Sequence, residues 1–516
     1  MSGQCIYPLK NTYAGILILL LWAIILIPII ALLHFKESNN DEITYNCFSD
    51  LKGKDIGFQT CAANEIDFLA PYPEVKVNFF ITPADMILAL KSHKIEAFVS
   101  EDIVSKVIIN KNPDLKCLPD ALDTYQNSFA LKKNSPLTPK IKPILEKLKK
   151  NGTVEKILKI WTGTDDSKKI VPIQDWPGRN GIIKYATDDT SEPVAYLNGE
   201  GKTIGIEPHI MLIIAKELDM KLETSNIVYE ACIPAVNSGK ADIAGGEIPY
   251  NESSLETIDL IPICDNGALA IVRNPDYHIK ESIGFFQNLK EGFNRNFIVE
   301  KRWKSILYGL TRTCLITFSS VFLGLIFALF MSYFRLYGNA FISRITNEYI
   351  RIMQGLPDVV FLMILFYVIL GESNFSSISV AILGFAIIFS INSTEILTSG
   401  IKSIDLGQIE AAIALGYSRL HGIIRIILPQ TAIRIFPVMQ GEIINLLKNT
   451  SIVGYISIID LTKICDSIRA RTLEAFFPLI VCAVIYLIIT YLINYLMNKL
   501  FVSLTSPTKF ILTNRS

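Results

Sequence analysis

The part of this chain whose residue types most invite a chemical reading is GEGKT at residues 199–203, a glycine-rich turn closed by a lysine and a hydroxyl side chain. Such a loop cradles phosphate only when another glycine stands five positions before its last glycine, and Tyr196 occupies that place. The segment therefore reads as a polar turn, and the rest of the sequence offers no nucleotide cradle. The five histidines are scattered without zinc-ligand spacing. The nine cysteines never form CxxC. Five of them (Cys47, Cys61, Cys117, Cys232 and Cys264) share one stretch, and an odd count cannot complete a disulfide framework, so no disulfide dependence is expected. What remains is charge set among apolar residues. Glu442 and Lys448 interrupt an apolar segment, and charges so placed sit at an interface or in a protein-lined cavity. EAAIALGYSRLHGIIRIILPQTA, residues 410–432, intersperses Glu410, Arg419 and Arg425 with Ala411, Ala412, Ala414 and Leu415, and has Gly416 and Pro429 as punctuation. That pattern predicts a short helix lying outside a bilayer, between two apolar spans.

The elements that must position these residues follow from composition. Half of the 516 residues are apolar and 19% are charged, a balance that suits a membrane protein carrying a soluble domain. Net charge is zero, without the basic excess of a nucleic-acid binder. Residues 14–33 are almost unbroken apolar, long enough to cross a hydrocarbon core at about 1.5 Å per residue. An uncleaved anchor over residues 1–35 fits better than a cleaved signal peptide, because Pro28, Leu32 and Leu33 stand where small residues would mark a cleavage site. Further apolar segments lie near residues 313–334, 357–370, 378–397, 434–459 and 476–501. With the anchor these make six crossings, which puts both termini on one side. Arg335, Arg344, Arg351, Lys402, Arg419, Arg425, Arg434, Lys499, Lys509 and Arg515 all fall on one face if that side is cytoplasmic. Lys301, Arg302 and Lys304 run against the rule but follow a long translocated domain, where the bias weakens.

The soluble stretch carries an internal repeat. ADMILALKSHKIEAFVS (residues 84–100) and EACIPAVNSGKADIAGG (residues 230–246) each read as an amphipathic helix, a tight polar turn and a short apolar strand. KDIGFQT (residues 54–60) and GIIKYATDD (residues 181–189) read as the strands that precede them. Two similar α/β lobes are expected, with a cleft between them beyond the carboxyl ends of the strands.

Residues 410–432 match the EAA pattern of ABC importer permeases: Glu, two Ala, then Leu and Gly, then Leu and Pro. IRIMQGLPDVVFLMILFY and GEIINLLKNTSIVGYISIIDLT extend the resemblance to permeases of the polar amino acid uptake family over about residues 300–500, with landmarks at Arg351, Gly355, Pro357, Glu395, Glu442 and Lys448. The soluble stretch resembles family 3 amino acid substrate-binding proteins with its halves exchanged. Residues 50–165 look like the second lobe and carboxyl-terminal part, and residues 180–275 like the first lobe. The resemblance therefore implies a multidomain chain: an α/β bilobal periplasmic-binding-protein-like domain, circularly permuted, over residues 36–290, and an all-α type I ABC importer permease domain over 300–505. A coupling loop falls at 405–432 and a cytoplasmic tail at 506–516. Circular permutation is physically easy because termini in such folds lie near each other at the surface. Two half-domains exchanged between chains are the rival arrangement.

Carried over residue by residue, the family's ligand positions have changed. Ser191 stands for the capping aromatic and Ser254 for the arginine that clamps the α-carboxylate. Cys61, Ala62 and Ala63 replace glycine and hydroxyl residues after Thr60, and Glu101 stands for the acid that receives the α-ammonium. Glu192, Glu247, Tyr250 and Asn251 could hold a ligand that lacks a free carboxylate, although each also reads as a solvated loop residue. The resemblance assigns Glu410, Ala411, Ala412, Leu415, Gly416, Leu428 and Pro429 to coupling with an ATPase. It further implies a partner ATPase dimer carrying ATP and Mg, a second permease chain such as another copy of this one, and an amino acid solute, with no cofactor and no catalytic residue in this chain. An amino acid receptor and a degenerate accessory or scaffolding subunit are the two other function classes.

Overall fold

The computed structural model describes residues 44–59, 69–277, 285–371, 373, 375–405 and 407–505. The expected anchor over residues 1–35, Thr60 and the expected tail over residues 506–516 lie outside the described residues.

Strand β1 (Asp55–Gln59) lies between β2 (Lys76–Phe80) and β3 (Ala97–Glu101), all parallel. Helix α1 (Pro83–Lys91) separates β2 from β3. Its N-cap is Thr82, whose hydroxyl accepts from Asp85 N, and a proline at the start presets φ for the first turn. After α2 (Asp102–Lys111) the long strand β4 (Leu115–Lys132) leaves this leading lobe and enters a trailing one. There α3 (Thr138–Lys150) and α4 (Thr153–Trp161) precede β5 (Ile182–Thr187), a hairpin sheet of β6 (Thr190–Ser191), β7 (Ala195–Leu197) and β8 (Thr203–Ile204), α5 (Ile206–Glu217), β9 (Lys221–Asn226), α6 (Cys232–Asn237) and β10 (Ile243–Pro249). Strand β11 (Ile258–Arg273) then returns to the leading lobe.

The main sheet runs in the order β2-β1-β3-β11-β4-β10-β5-β9. Each lobe thus has three parallel strands and then one antiparallel strand, β11 in the leading lobe and β4 in the trailing one. The predicted repeat is this symmetry: α1 with β3 matches α6 with β10. Two antiparallel strands cross between the lobes, paired through Gly267–Thr124 and Asp265–Gln126, which leaves the lobes joined by a narrow two-stranded hinge. Phe48, Ile56 and Ala270 fill one core of the leading lobe. Trp161, Tyr185 and Ile210 fill the core of the trailing lobe, so α4 packs with strands that come later in the chain.

After α7 (Phe285–Phe293), the helical domain begins with α8 (Trp303–Tyr337), a 35-residue helix of about 50 Å. Helices α9 (Ala340–Gln354), α10 (Asp358–Ile369), α11 (Ser377–Lys402), α12 (Gly407–Ala414), α13 (Arg419–Ile456), α14 (Leu461–Thr472) and α15 (Phe476–Thr505) follow. Of these, α8, α11, α13 and α15 are long and apolar enough to cross a membrane. Small residues let α8 and α11 approach closely: a Cβ on Gly324 would lie 2.8 Å from the Ala386 carbonyl oxygen, and Ser320 Oγ donates to Ile382 O at 3.2 Å.

Two sequence expectations are corrected. Residues 357–370 do not form a span alone; α10 passes as a crossing only together with α9, bent from it by 106° where Gly355 caps one helix and Pro357 precedes the next. Residues 410–432 are not one helix outside the spans. They divide at Gly416, and the part from Arg419 onward is the beginning of α13. Pro429 does not end the helix: it falls at the first turn of the α-helical stretch that follows a π-helical one at Ile423–Ile427, a position where a proline's fixed φ is tolerated.

Candidate functional site

The two lobes bring their strand ends together around carboxylates. Glu101 ends β3 and accepts from Tyr125 Oη (2.8 Å) and Asn127 Nδ2 (3.1 Å) on β4 and from Asn266 Nδ2 on β11. From the trailing lobe comes Glu247, which Ser191 Oγ holds. A bulge in β10 aims it there. A Cβ on Gly245 would lie 2.2 Å from Glu207 Oε2, Gly246 has φ +98°, and Glu247 itself has φ +65°, which a side-chain-bearing residue adopts only where the surroundings enforce it. Glu207 supplies that enforcement by accepting from Gly246 N (2.6 Å), Glu247 N (3.3 Å) and Tyr185 Oη (2.8 Å). Burial pushes the Glu101 carboxyl up to about 7 against the pull of its three donors, and burial with the neighbouring Glu101 charge pushes Glu247 well above the carboxylate range. Asn127 Oδ1 is buried and unpartnered beside Glu101. Once ionised these carboxyls are acceptors only, so the cleft suits a positively charged group whose charge would offset the burial that favours their protonated form.

The other expected ligand residues are placed elsewhere. Glu192, its side chain 1% exposed, grips Lys111 of the leading lobe and Arg471 of α14, with Lys169 at 3.8 Å. Burial would raise its carboxyl, and Lys111 and Arg471 outweigh burial and hold it below the ordinary value. Asn251 caps the turn Glu252–Glu256 by accepting from Ser253 N at 2.9 Å, and Ser254 belongs to that turn, so neither position supplies a carboxylate clamp. Tyr250 lines a side pocket of about 210 Å³ with Lys142 and Lys149.

Sequence reasoning missed α14, which Asp460 starts by accepting from Thr462 N and Lys463 N. Lys463 Nζ lies 2.8 Å from Asp189 and 3.2 Å from Asp188, both just after β5. Arg471 also stacks 4.7 Å from the Tyr196 ring. The bilobal domain therefore sits directly on the helical one. Its glycine-rich turn touches there too: the Glu300 carbonyl oxygen approaches so closely that a Cβ on Gly199 would be 1.9 Å from it, and Ser305 Oγ donates to Gly199 O at 3.2 Å. Lys240 donates to Ser373 O (3.0 Å) in the connection between α10 and α11. A legible signal existed, since Lys463, Arg469 and Arg471 put basic residues in a connection that orientation by charge leaves outside.

The Gly407–Ala414 corner lies at the far end of the same helices. The amino-terminal end of α8 meets Gly199, while Tyr337 at its other end stacks with Arg419 at 5.5 Å. Ala412 is buried against Gly422, with a Cβ there 3.3 Å away, whereas Ile413, Leu415 (78% exposed), Tyr417 and Leu420 form an exposed apolar patch beside the exposed Glu410 and Ala411. Gly416 turns the corner at φ +87°. Leu428 and Pro429 sit half-buried in α13. Of the landmarks, Arg351 pairs with Glu348 on the surface (3.0 Å), Glu395 joins α11 to α8 through Arg335 (2.8 Å), Glu442 joins α13 to α11 through Asn392 (2.7 Å), and Lys448 is exposed.

The profile of the family described as binding-protein-dependent transport system inner membrane component matches residues 303–503. A Bacillus subtilis protein described as a "Probable amino-acid ABC transporter permease protein" is 31% identical over 196 residues, covering 38% of this chain and 86% of that relative. The chain belongs to this permease family. The arginine ABC transporter permease protein of Haemophilus influenzae is 28% identical over 188 residues, covering 35% of this chain and 82% of its own length. A crystal structure of an amino acid ABC transporter with histidines is 27% identical, covers 43% of this permease and 99% of that chain, and superposes with a TM-score of 0.37. The permease is accordingly an integral membrane subunit of a transporter and not an enzyme; its family works with an ATPase subunit and another permease. The bilobal domain precedes the matched residues.

Proposed function

We propose that this permease imports a small solute, an amino acid or a related amine, which its own bilobal domain collects outside the plasma membrane, and that a separate pair of ATPase subunits drives transport by gripping residues Glu410–Gly416. One observation carries this reading: the bilobal domain that holds the carboxylates and the exposed apolar corner meet opposite ends of α8, the one through Gly199 and the other through Arg419. The basic residues around the corner favour its cytoplasmic placement, with both termini inside and residues 36–300 outside. Glu101 receives the ammonium of the solute, with Glu247 and Ser191 opposite. Because Ser254 replaces the clamping arginine, recognition rests on positive charge more than on a carboxylate. The two lobes are a permuted binding domain whose older termini join near residues 166–180. Five spans are too few to enclose a pathway, so two copies of the chain assemble around it. Alternating access follows if each nucleotide state of the ATPase favours one arrangement of the spans. ATP and Mg belong to the partner.

The test is ATP-dependent uptake by the full chain reconstituted with its ATPase, across a panel of amino acids and amines. Saturable uptake that Glu101→Gln abolishes is expected. Silence across the panel, in both uptake and stimulation of ATP hydrolysis, would overturn import and favour an accessory subunit, which the changed ligand positions also suit.

A further inference from the structure

Helix α14 presents a cation to each lobe. Leu461, Ile464, Cys465 and Ile468, spaced i, i+3, i+4 and i+7, are buried. This leaves two flanks. One carries Lys463, Ser467 and Arg471, each four residues after the last. Lys463 lies 2.8 Å from Asp189, Ser467 Oγ donates to Asp189 at 3.3 Å, and Arg471 grips Glu192 and stands 3.0 Å from Glu300. Asp189 and Glu192 belong to the trailing lobe. The other flank carries Arg469, bound to Asp85 in the first turn of α1 in the leading lobe. Lys111 of the leading lobe completes the network: it pairs with Glu192 and donates to Arg471 O at 2.8 Å. The three α14 cations are at most 10% exposed, whereas Glu101 and Glu247 make no bond to them.

We propose that α14 is a clasp that holds the two lobes closed on each other and on the permease without a solute in the cleft. The physical basis is that these charges are desolvated only in company. Withdrawing one lobe strips partners from Glu192, Asp85 or Arg471 while the rest stay buried, so the contacts form and break together. The clasp is also connected to the motor. Its helix follows α13, whose first residues leave the Gly416 corner, so a tilt of that one helix moves α14 against both lobes. Loading of solute from outside thus requires the permease to release its binding domain, and the nucleotide state of the ATPase sets when that happens. This goes beyond the import reading and does not depend on which solute is carried.

The experiment uses the full chain with its ATPase in lipid nanodiscs, without solute. Spin labels placed by unnatural amino acids at Lys94 in the leading lobe and Lys216 in the trailing lobe, both exposed, report lobe separation by pulsed EPR. The unsubstituted chain is expected to show one short distance. In K463Q/R469Q/R471Q a longer distance should grow about tenfold or more in population, as loss of buried ion-pair partners demands. Because the triple variant could open through misfolding, D85R and R469D are measured singly and together: each alone should open the lobes, and the pair should restore the short distance. The proposal fails if the triple variant keeps the short distance, if the unsubstituted chain is already open, or if the charge swap does not restore closure. Absent transport would leave these distances readable, so failure of the import reading remains distinguishable.

Discussion

At the residue scale the decisive group is Glu101. Its burial raises the carboxyl from 4.5 to about 7, so the folded domain keeps a proton that the unfolded chain has already released. The sign follows. This contribution is whole below pH 4.5 and is lost as pH rises through about 7, at a cost of roughly 3 kcal/mol. Melting of the full chain in detergent should therefore show the lobes losing stability between pH 5 and pH 8, and Glu101→Gln should flatten that part of the profile; an unchanged slope in the variant would remove Glu101 as the cause. Glu247 acts in the same direction, since burial and the Glu101 charge both favour its protonated form. A cationic solute acts oppositely, because it favours the ionised carboxylate.

At the element scale the corner between α12 and α13 depends on one backbone angle. Gly416 has φ +87°, and a Cβ there would meet nothing within 4 Å, so a substitution acts through conformation and not through a clash. Gly416→Val should cost about 1–2 kcal/mol in the turn, enough to lower its population roughly tenfold. Solute uptake per ATP hydrolysed should fall while solute binding stays as it was. Full coupling in that variant would withdraw the transmitting role from this corner. The same reasoning explains why Leu415 and Tyr417 stand out in solvent while Ala412 is buried against Gly422: the corner is packed from within and leaves its apolar side for a partner.

At the scale of the whole molecule, a bilobal domain at one end of the helices and an apolar corner at the other define two sides. Lys94→Cys should react with a membrane-impermeant maleimide on intact cells, and Tyr417→Cys only after permeabilisation; reaction of both on intact cells would refute the orientation. Much of this plan was legible beforehand. The periodicity of residues 84–100 and 230–246 specified paired α/β units, because a helix and strand that bury one face each leave a local pattern. Residues 410–432 marked the corner through Glu410, two alanines and Gly416, since a turn that needs positive φ announces itself by glycine. Hydropathy located the long helices but not the bend of 106° between α9 and α10, nor the merging of Arg419 into a span, because hydropathy records length and polarity and not direction. Only the tertiary structure decided what the charges do. It turned Glu192 from a cleft residue into the meeting point of Lys111 and Arg471, and it made a docking contact of the glycine-rich turn at Gly199. A side chain's local sequence fixes its chemistry, but its partner is chosen by segments hundreds of residues away, and for a buried charge the partner sets the role.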